Sequence, residues 1–162
     1  MRLAALAVVL GLAQPGAAGS RCGKAKLGEI CEEAEVELAA GANPLDAPVI
    51  DSSVTYLVAG PAAGKHGYLV VEPTVTGDYS VYLGGPAVAM QIRDEHPVCS
   101  GPAGGCMRVV TTYALTAGKR YEIELGPIGA GQRVRLRVEP PDDEDRIARS
   151  SIRAFAPWRV SG

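Results

Sequence analysis

The chain has 162 residues, and 16 basic against 18 acidic side chains give it a net charge of −2. This balance argues against nucleic-acid binding, which depends on a strongly basic face. Apolar residues make up 47% of the chain and charged residues 21%, which excludes wholesale disorder and suits one domain, or one domain plus a tail.

Residues 1–19 have the features of a secretory signal peptide. Arg2 supplies the positive start, residues 3–13 form an apolar run, and small residues at Ala18 and Gly19 fit a cleavage site. The run is too short to anchor the chain in a bilayer, and no later segment is long and apolar enough to span one. We therefore predict a secreted or periplasmic protein whose mature form has no transmembrane segment. A composition rich in Gly, Ala, Arg and Pro is typical of a GC-rich bacterial genome.

Four cysteines lie in two local pairs, the first of them in a short N-terminal segment at residues 20–33. In an oxidising compartment, four cysteines indicate two disulfide bonds, for which three connectivities are possible. We expect Cys22 to pair with Cys31 and Cys99 to pair with Cys106, because the Gly-rich residues 100–105 would let the second pair meet.

Residues 34–139 alternate between apolar and polar side chains in one short run after another, with Gly, Pro and Asp clusters between the runs. Alternation with a period of two places one face of a strand in a core and the other face in water. About eight such strands predict an all-β fold, an antiparallel β-sandwich or jelly roll, with no convincing helix after the signal peptide. The predicted strands lie near residues 35–38, 49–58, 68–71, 79–83, 88–93, 107–115, 121–125 and 133–138.

Two late strands carry rows of opposite charge on their polar faces. Glu122 and Glu124 form the acidic row, and Arg133, Arg135 and Arg137 form the basic row. We expect the two strands to be neighbours whose charges pair across a solvated sheet face. The alternative interpretation of the arginine row is a stripe that binds anions.

Residues 115–125 read LTAGKRYEIEL, in which an Ala-Gly turn leads into an alternating strand that bears a tyrosine. Residues 134–138 (VRLRV) form a last alternating strand, and residues 76–82 (TGDYSVY) form an earlier one. Together these segments resemble bacterial pre-peptidase C-terminal domains, which are small jelly-roll modules on secreted proteins. The similarity covers about residues 66–138 and departs from the family pattern at the loop between Cys99 and Cys106. The resemblance implies an accessory, non-catalytic role and transfers no site residue.

The C-terminal tail, residues 140–162, differs in composition from the strand region. Two prolines end the last strand, and an acidic run at residues 142–145 precedes four arginines among scattered apolar residues. The only Phe and the only Trp of the chain, Phe155 and Trp158, lie in this tail. Two roles are open: a segment that docks on a partner or a membrane surface, and a cover for an edge or a face of the sandwich.

Few residues of this chain suit catalysis or metal binding. No serine lies in a nucleophile-elbow context and no pair of carboxylates stands out, so we predict neither an enzyme nor a cofactor. A copper or zinc site is the first alternative, with His66 and His96 as candidate ligands, although their spacing matches no strong motif. Further candidate ligands are Met90, Cys99, Cys106 and Met107.

A carbohydrate-binding module is the second alternative, and it would need aromatic side chains exposed on one face. The candidate aromatic contacts are Tyr56, Tyr68, Tyr82, Tyr113 and Trp158.

The leading hypothesis is an exported, non-catalytic module that acts by binding or by structure at the cell envelope or outside the cell. Its expected partner is another secreted or envelope protein or an extracellular polysaccharide.

Overall fold

The computed structural model describes residue 22 and residues 27–142. The predicted signal peptide lies outside these residues, as does the tail from residue 143 onwards, with Phe155 and Trp158. Within residues 27–142, no helix has the length and apolar composition that crossing a membrane requires. The elements are helix α1 (Leu27–Glu32), a 3-10 turn (Pro44–Asp46), and strands β1 (Val36–Ala39), β2 (Val49–Ile50), β3 (Thr55–Ala59), β4 (Lys65–Val71), β5 (Gly77–Gly84), β6 (Ala89–Ile92), β7 (Cys99–Gly104), β8 (Met107–Leu115), β9 (Tyr121–Ile128) and β10 (Arg133–Glu139).

These strands form two sheets around one core, which confirms the predicted all-β sandwich. One sheet has six strands in the order β1-β3-β10-β5-β8-β7, and the other has four in the order β2-β4-β9-β6. Val58, Val81 and Leu136 of the six-stranded sheet are buried in one apolar cluster with Leu69 and Ile123 of the four-stranded sheet. Removal of these alternating apolar side chains from water is the main term that stabilises the sandwich.

The sheets are mixed rather than wholly antiparallel, because β1 pairs in parallel with β3, and β2 pairs in parallel with β4. The first four strands alternate between the two sheets along the chain. When the chain crosses to the other sheet and back, it reverses direction twice. The new strand therefore runs parallel to the earlier strand of the same sheet that it joins. The predicted run at residues 49–58 contains both β2 and β3, and β7 occupies a predicted loop, which explains ten strands instead of about eight.

The expected pairing between the two charged rows is wrong, because β9 and β10 lie in different sheets. A turn at residues 129–132 carries the chain from one sheet to the other. Alternation predicts which side chains face outward, but it does not predict which strand lies beside them. The arginine row instead pairs with an earlier acidic row: Arg133 with Glu37, Arg135 with Glu35, and Arg137 with Glu33.

The expected local disulfide pairing is also wrong. Cys22 is bonded to Cys99 and Cys31 to Cys106, with Cα–Cα distances of 5.9 and 5.7 Å. The residues that follow Cys99 are not a flexible loop, because they form the extended strand β7, which pairs with β8. A strand of this length holds its ends roughly 20 Å apart, far beyond the reach of a disulfide bond.

The N-terminal segment, residues 22 and 27–35, lies across the outer face of the six-stranded sheet and leads into β1. Ile30 of α1 packs with Tyr82, Met107 and Val110 in an apolar cluster separate from the main core. The two disulfides hold the first part of the segment, and the ion pairs of Glu33 and Glu35 with β10 hold the part that follows. Much of this outer face is therefore covered by the chain itself.

Arg137 connects this segment to the sheet. Its side chain is only 7% exposed, and its guanidinium donates to Thr55 Oγ1 at 3.1 Å and pairs with Glu33 and Glu139. Burial opposes the charged form, but the hydrogen bonds to the two carboxylates outweigh it and raise the pKa of Arg137 above its ordinary value. Arg137 is therefore a charged group whose partners come from both the segment and the sheet.

One tryptic digest distinguishes the observed disulfide pattern from the local one. Trypsin cleaves after Lys24, between the first two cysteines, whereas residues 99–106 contain no Lys or Arg. We expect the unreduced digest to contain one species in which the peptides of Cys22 and Cys31 are both linked to the peptide that spans residues 99–106. Mass spectrometry before and after reduction identifies this species. Local pairing would leave the third peptide unattached.

Replacement of Arg137 tests the ion pairs. Arg137→Ala is expected to lower the free energy of unfolding by about 3 kcal/mol, because it leaves two carboxylates without their buried partner. The matched control Arg133→Ala removes a pair whose two side chains are 47% and 70% exposed, and should cost less than about 1 kcal/mol. Urea unfolding followed by circular dichroism measures both losses. Equal losses of unfolding free energy in the two variants would contradict the conclusion that Arg137 contributes more to stability than Arg133.

Candidate binding face on the four-stranded sheet

The outer face of the four-stranded sheet carries a cluster of polar side chains on the neighbouring strands β4, β9 and β6. Adjacent residues in the sequence, Leu69, Ile92 and Ile123, are buried in the core, so alternation turns the cluster outward. The side chains of the cluster are exposed or half-buried. We call this surface the open face and define it by His66, Tyr68, Gln91, Arg93, Glu122 and Glu124.

Glu124 is the centre of the open face, because side chains from both neighbouring strands converge on its carboxylate. His66 Nδ1 lies 2.7 Å from Oε1, and Gln91 Nε2 donates to Oε2 at 2.8 Å. The Tyr68 hydroxyl donates to Oε1 over a longer distance of 3.5 Å. Tyr68, Glu124 and Gln91 are direct cross-strand partners, so the register of the sheet lines them up in one row.

A glycine allows His66 to reach this row. The pairing of β4 with β9 shifts register between Lys65 and Gly67, next to Gly126. Gly126 has a φ of +140°, and a Cβ atom added there would lie 2.9 Å from the Cα of His66. A larger residue would therefore both strain the backbone and push His66 away from Glu124.

The carboxylates of the open face have polar partners within the face. The hydrogen bond from Gln91 lowers the pKa of Glu124 most, and the neighbouring His66 and Arg93 lower it further, while burial opposes this shift. Glu124 is therefore ionised at neutral pH. Beside it, Arg93 Nη1 pairs with Glu122 Oε2 at 2.8 Å. The arrangement offers fixed hydrogen-bonding groups without an unmatched carboxylate.

The structure does not bring the predicted metal ligands together. His66 contacts Glu124, whereas His96 lies in the exposed segment between β6 and β7. Over residue 22 and residues 27–142, no group of three or more His, Cys, Asp or Glu side chains is placed to hold a metal ion. The candidate Cys99 and Cys106 are bonded to other cysteines, so the copper or zinc hypothesis loses its thiolate ligands.

The two methionine candidates also have other roles. Met107 is buried under α1, and the sulfur of Met90 lies 3.9 Å from the hydroxyl of Tyr113, which donates to it. Both side chains therefore contribute to packing in the structure, and neither lies on the open face.

Only Tyr68 among the four described candidate tyrosines lies on the open face. Tyr56, Tyr82 and Tyr113 are buried, so the carbohydrate-binding alternative loses three of its candidate aromatic contacts. Tyr56 and Tyr113 belong to the main core, and Tyr82 lies under α1, which the strand pattern alone did not reveal. Trp158, the fifth aromatic candidate, lies outside the described residues.

Sequence reasoning missed most of the open face. It expected Glu122 and Glu124 to pair with the arginine row, and it did not single out Gln91 or Arg93. Alternation in the sequence already turns these side chains outward, so that part of the signal was present. The missing information was that β9 lies between β4 and β6, an arrangement that is set by long-range pairing.

No model of a protein family matches this sequence, and no curated protein matches it. The resemblance of residues 66–138 to pre-peptidase C-terminal domains stays a prediction. The function is therefore argued from the fold and from the chemistry of the open face.

Stability in acid should depend on the contacts of Glu124. Its pKa in the folded protein is below the ordinary value of 4.5, so the ionised carboxylate stabilises the fold at higher pH. That stabilisation is lost as the pH falls through the lowered pKa. Gln91→Ala removes the hydrogen bond that lowers this pKa most, so its free energy of unfolding should fall less steeply with acid than that of the wild type.

Urea unfolding between about pH 5 and pH 3 measures this difference. The matched control is Gln132→Ala, which removes an exposed glutamine from the turn before β10. The control should keep the wild-type pH dependence. A Gln91→Ala variant with the same slope as the wild type would show that Gln91 does not act on the titration of Glu124.

Proposed function

We propose that this chain is an exported, non-catalytic β-sandwich module that binds a partner outside the cytoplasm through its open face. The single observation that carries the proposal is the contrast between the two outer faces of the sandwich. One face is covered by the N-terminal segment, and the other presents the ordered polar row around Glu124.

Two disulfides in a small β domain are typical of an oxidising compartment such as the periplasm or the extracellular space. The predicted signal peptide at residues 1–19 supports export on independent grounds. Both observations favour a protein that works at the cell envelope or beyond it.

The open face suits binding better than it suits catalysis. Glu122 is in an ion pair with Arg93, and the pKa of Glu124 is lowered, whereas a general acid needs a raised one. The side chains are held in place by one another, which reduces the entropy that a ligand must overcome on binding. The expected partners are another secreted or envelope protein and an extracellular polysaccharide.

Co-sedimentation tests the proposal. The purified mature protein is mixed with the insoluble envelope and extracellular material of cells that produce it, and the bound fraction is measured after centrifugation. We expect the wild type to sediment with this material. Gln91→Ala/Arg93→Ala, which removes two exposed side chains from the open face, should reduce the bound fraction about tenfold, as the loss of one or two hydrogen bonds predicts.

The matched control is Arg108→Ala/Gln132→Ala, which removes the same two residue types from exposed positions outside the open face. This control should sediment like the wild type. Absence of wild-type binding, or an equal loss in the two double variants, would overturn the proposal.

A further inference from the structure

The pairing of charges on the open face restricts the kind of ligand that it can bind. Arg93 Nη1 is paired with Glu122 at 2.8 Å, and Gln91 Nε2 and His66 Nδ1 lie 2.8 and 2.7 Å from the carboxylate of Glu124, so each carboxylate already has its partners. A charged ligand would have to displace these contacts, and its own contacts would only replace those that it breaks. An uncharged ligand leaves them intact, so the existing contacts favour a neutral partner.

The same side chains keep hydrogen-bonding capacity toward solvent. The carboxylate of Glu124 has further lone pairs, and the exposed amide of Gln91 has a carbonyl oxygen and a second N–H. The guanidinium of Arg93 has N–H groups beyond the one used for Glu122. Donors and acceptors thus alternate over a short distance. A hydroxyl group is both a donor and an acceptor, so a ligand rich in hydroxyls matches this surface.

Tyr68 adds an apolar element beside the polar groups, and because the other three described candidate tyrosines are buried, this apolar contact relies on one ring and not on a row of exposed aromatic side chains. Its ring is half-buried at one end of the row, and Val49, which is 52% exposed, lies on the next strand. An aromatic ring with a polar tip binds ligands that have an apolar face and a wet edge. A sugar ring has both, because its C–H groups and its hydroxyls point in different directions.

The row of Tyr68, Glu124 and Gln91 sets the direction of such a ligand. The three residues are direct partners on three adjacent strands, so the row crosses the strands and spans about 10 Å. A polymer that lies along the row would contact all three side chains with consecutive units.

We propose that the open face binds an uncharged polysaccharide that lies across strands β4, β9 and β6, with Tyr68, Glu124 and Gln91 as its contacts. This inference rests on the proposed function and adds the chemical class of the ligand. A protein partner is the competing occupant, and an acidic polysaccharide is the competing polymer; both are outcomes of the test.

The first experiment separates a polysaccharide from a protein partner. The insoluble material of the co-sedimentation assay is treated with periodate, which oxidises vicinal diols, or with a protease. We expect periodate to abolish binding of the wild type and protease to leave it intact. Binding that survives periodate and is lost after protease would overturn this inference while the proposed function stands. Absence of binding to untreated material would overturn the proposed function itself.

The second experiment tests the charge of the ligand. Deproteinised polysaccharide from the same material is divided by anion exchange into a neutral pool and an acidic pool, and each is cast into a native gel. We expect the neutral pool to retard the wild type, equally at about 0.1 M and about 1 M salt, because no net charge is involved. Retardation by the acidic pool alone, or by neither pool, would overturn the inference.

Variants connect the retardation to the proposed contacts. Gln91→Ala and Tyr68→Leu, which keeps an apolar side chain but removes the ring, should each weaken binding to the neutral pool about tenfold. Tyr68→Phe keeps the ring and should retain most of the binding. This variant separates the loss of the ring from any loss of stability in Tyr68→Leu. Arg108→Ala/Gln132→Ala should bind like the wild type. Unchanged binding in both Gln91→Ala and Tyr68→Leu would contradict the assigned contacts.

Discussion

The attachment of the N-terminal segment to the six-stranded sheet is the constraint on which the rest of the structure depends. Two disulfides fix the segment covalently, and Arg137, buried beneath it, is charged and therefore needs the carboxylate that the segment supplies. Without the segment, Arg137 would lose a partner, and the apolar side chains of Tyr82 and Val110 would face water. Covalent bonds, ion pairs and apolar burial therefore all favour the same placement.

This placement makes the two faces of the sandwich unequal. A sandwich has two outer faces, and alternation gives each of them polar side chains. On the six-stranded sheet, Arg135 and Arg137 pair with the segment and Arg133 pairs with β1, so these charges stabilise the fold. On the four-stranded sheet, the contacts of Glu124 within residues 27–142 come from its own neighbours, and the side chains around it are exposed or half-buried. The difference between a covered face and an exposed face therefore follows from one local feature.

Local patterns in the sequence predicted the class of fold. They did not predict the features that depend on pairing between residues far apart in the chain. Alternation in residues 121–125 and 133–138 correctly indicated two strands with outward charges, because that signal is contained within each strand. It could not indicate that these strands lie in different sheets. The disulfides show the same limit, since the Gly-rich composition of residues 100–105 resembles a loop but forms an edge strand. The candidate site was missed for the same reason, because Gln91 and Tyr68, the side chains that donate hydrogen bonds to Glu124, lie on other strands.

The crossed disulfides have a consequence for how the protein matures. Cys22 and Cys31 are synthesised before Cys99 and Cys106, which follow more than sixty residues later along the chain. An oxidant that joins cysteines in order of appearance would link the first two, and that bond does not occur in the fold. The native bonds form either after the sheet is complete or through thiol–disulfide exchange with a disulfide isomerase. The yield of correctly bonded protein thus depends on whether the sheet forms before the first two cysteines are oxidised, or on the isomerase capacity that corrects them.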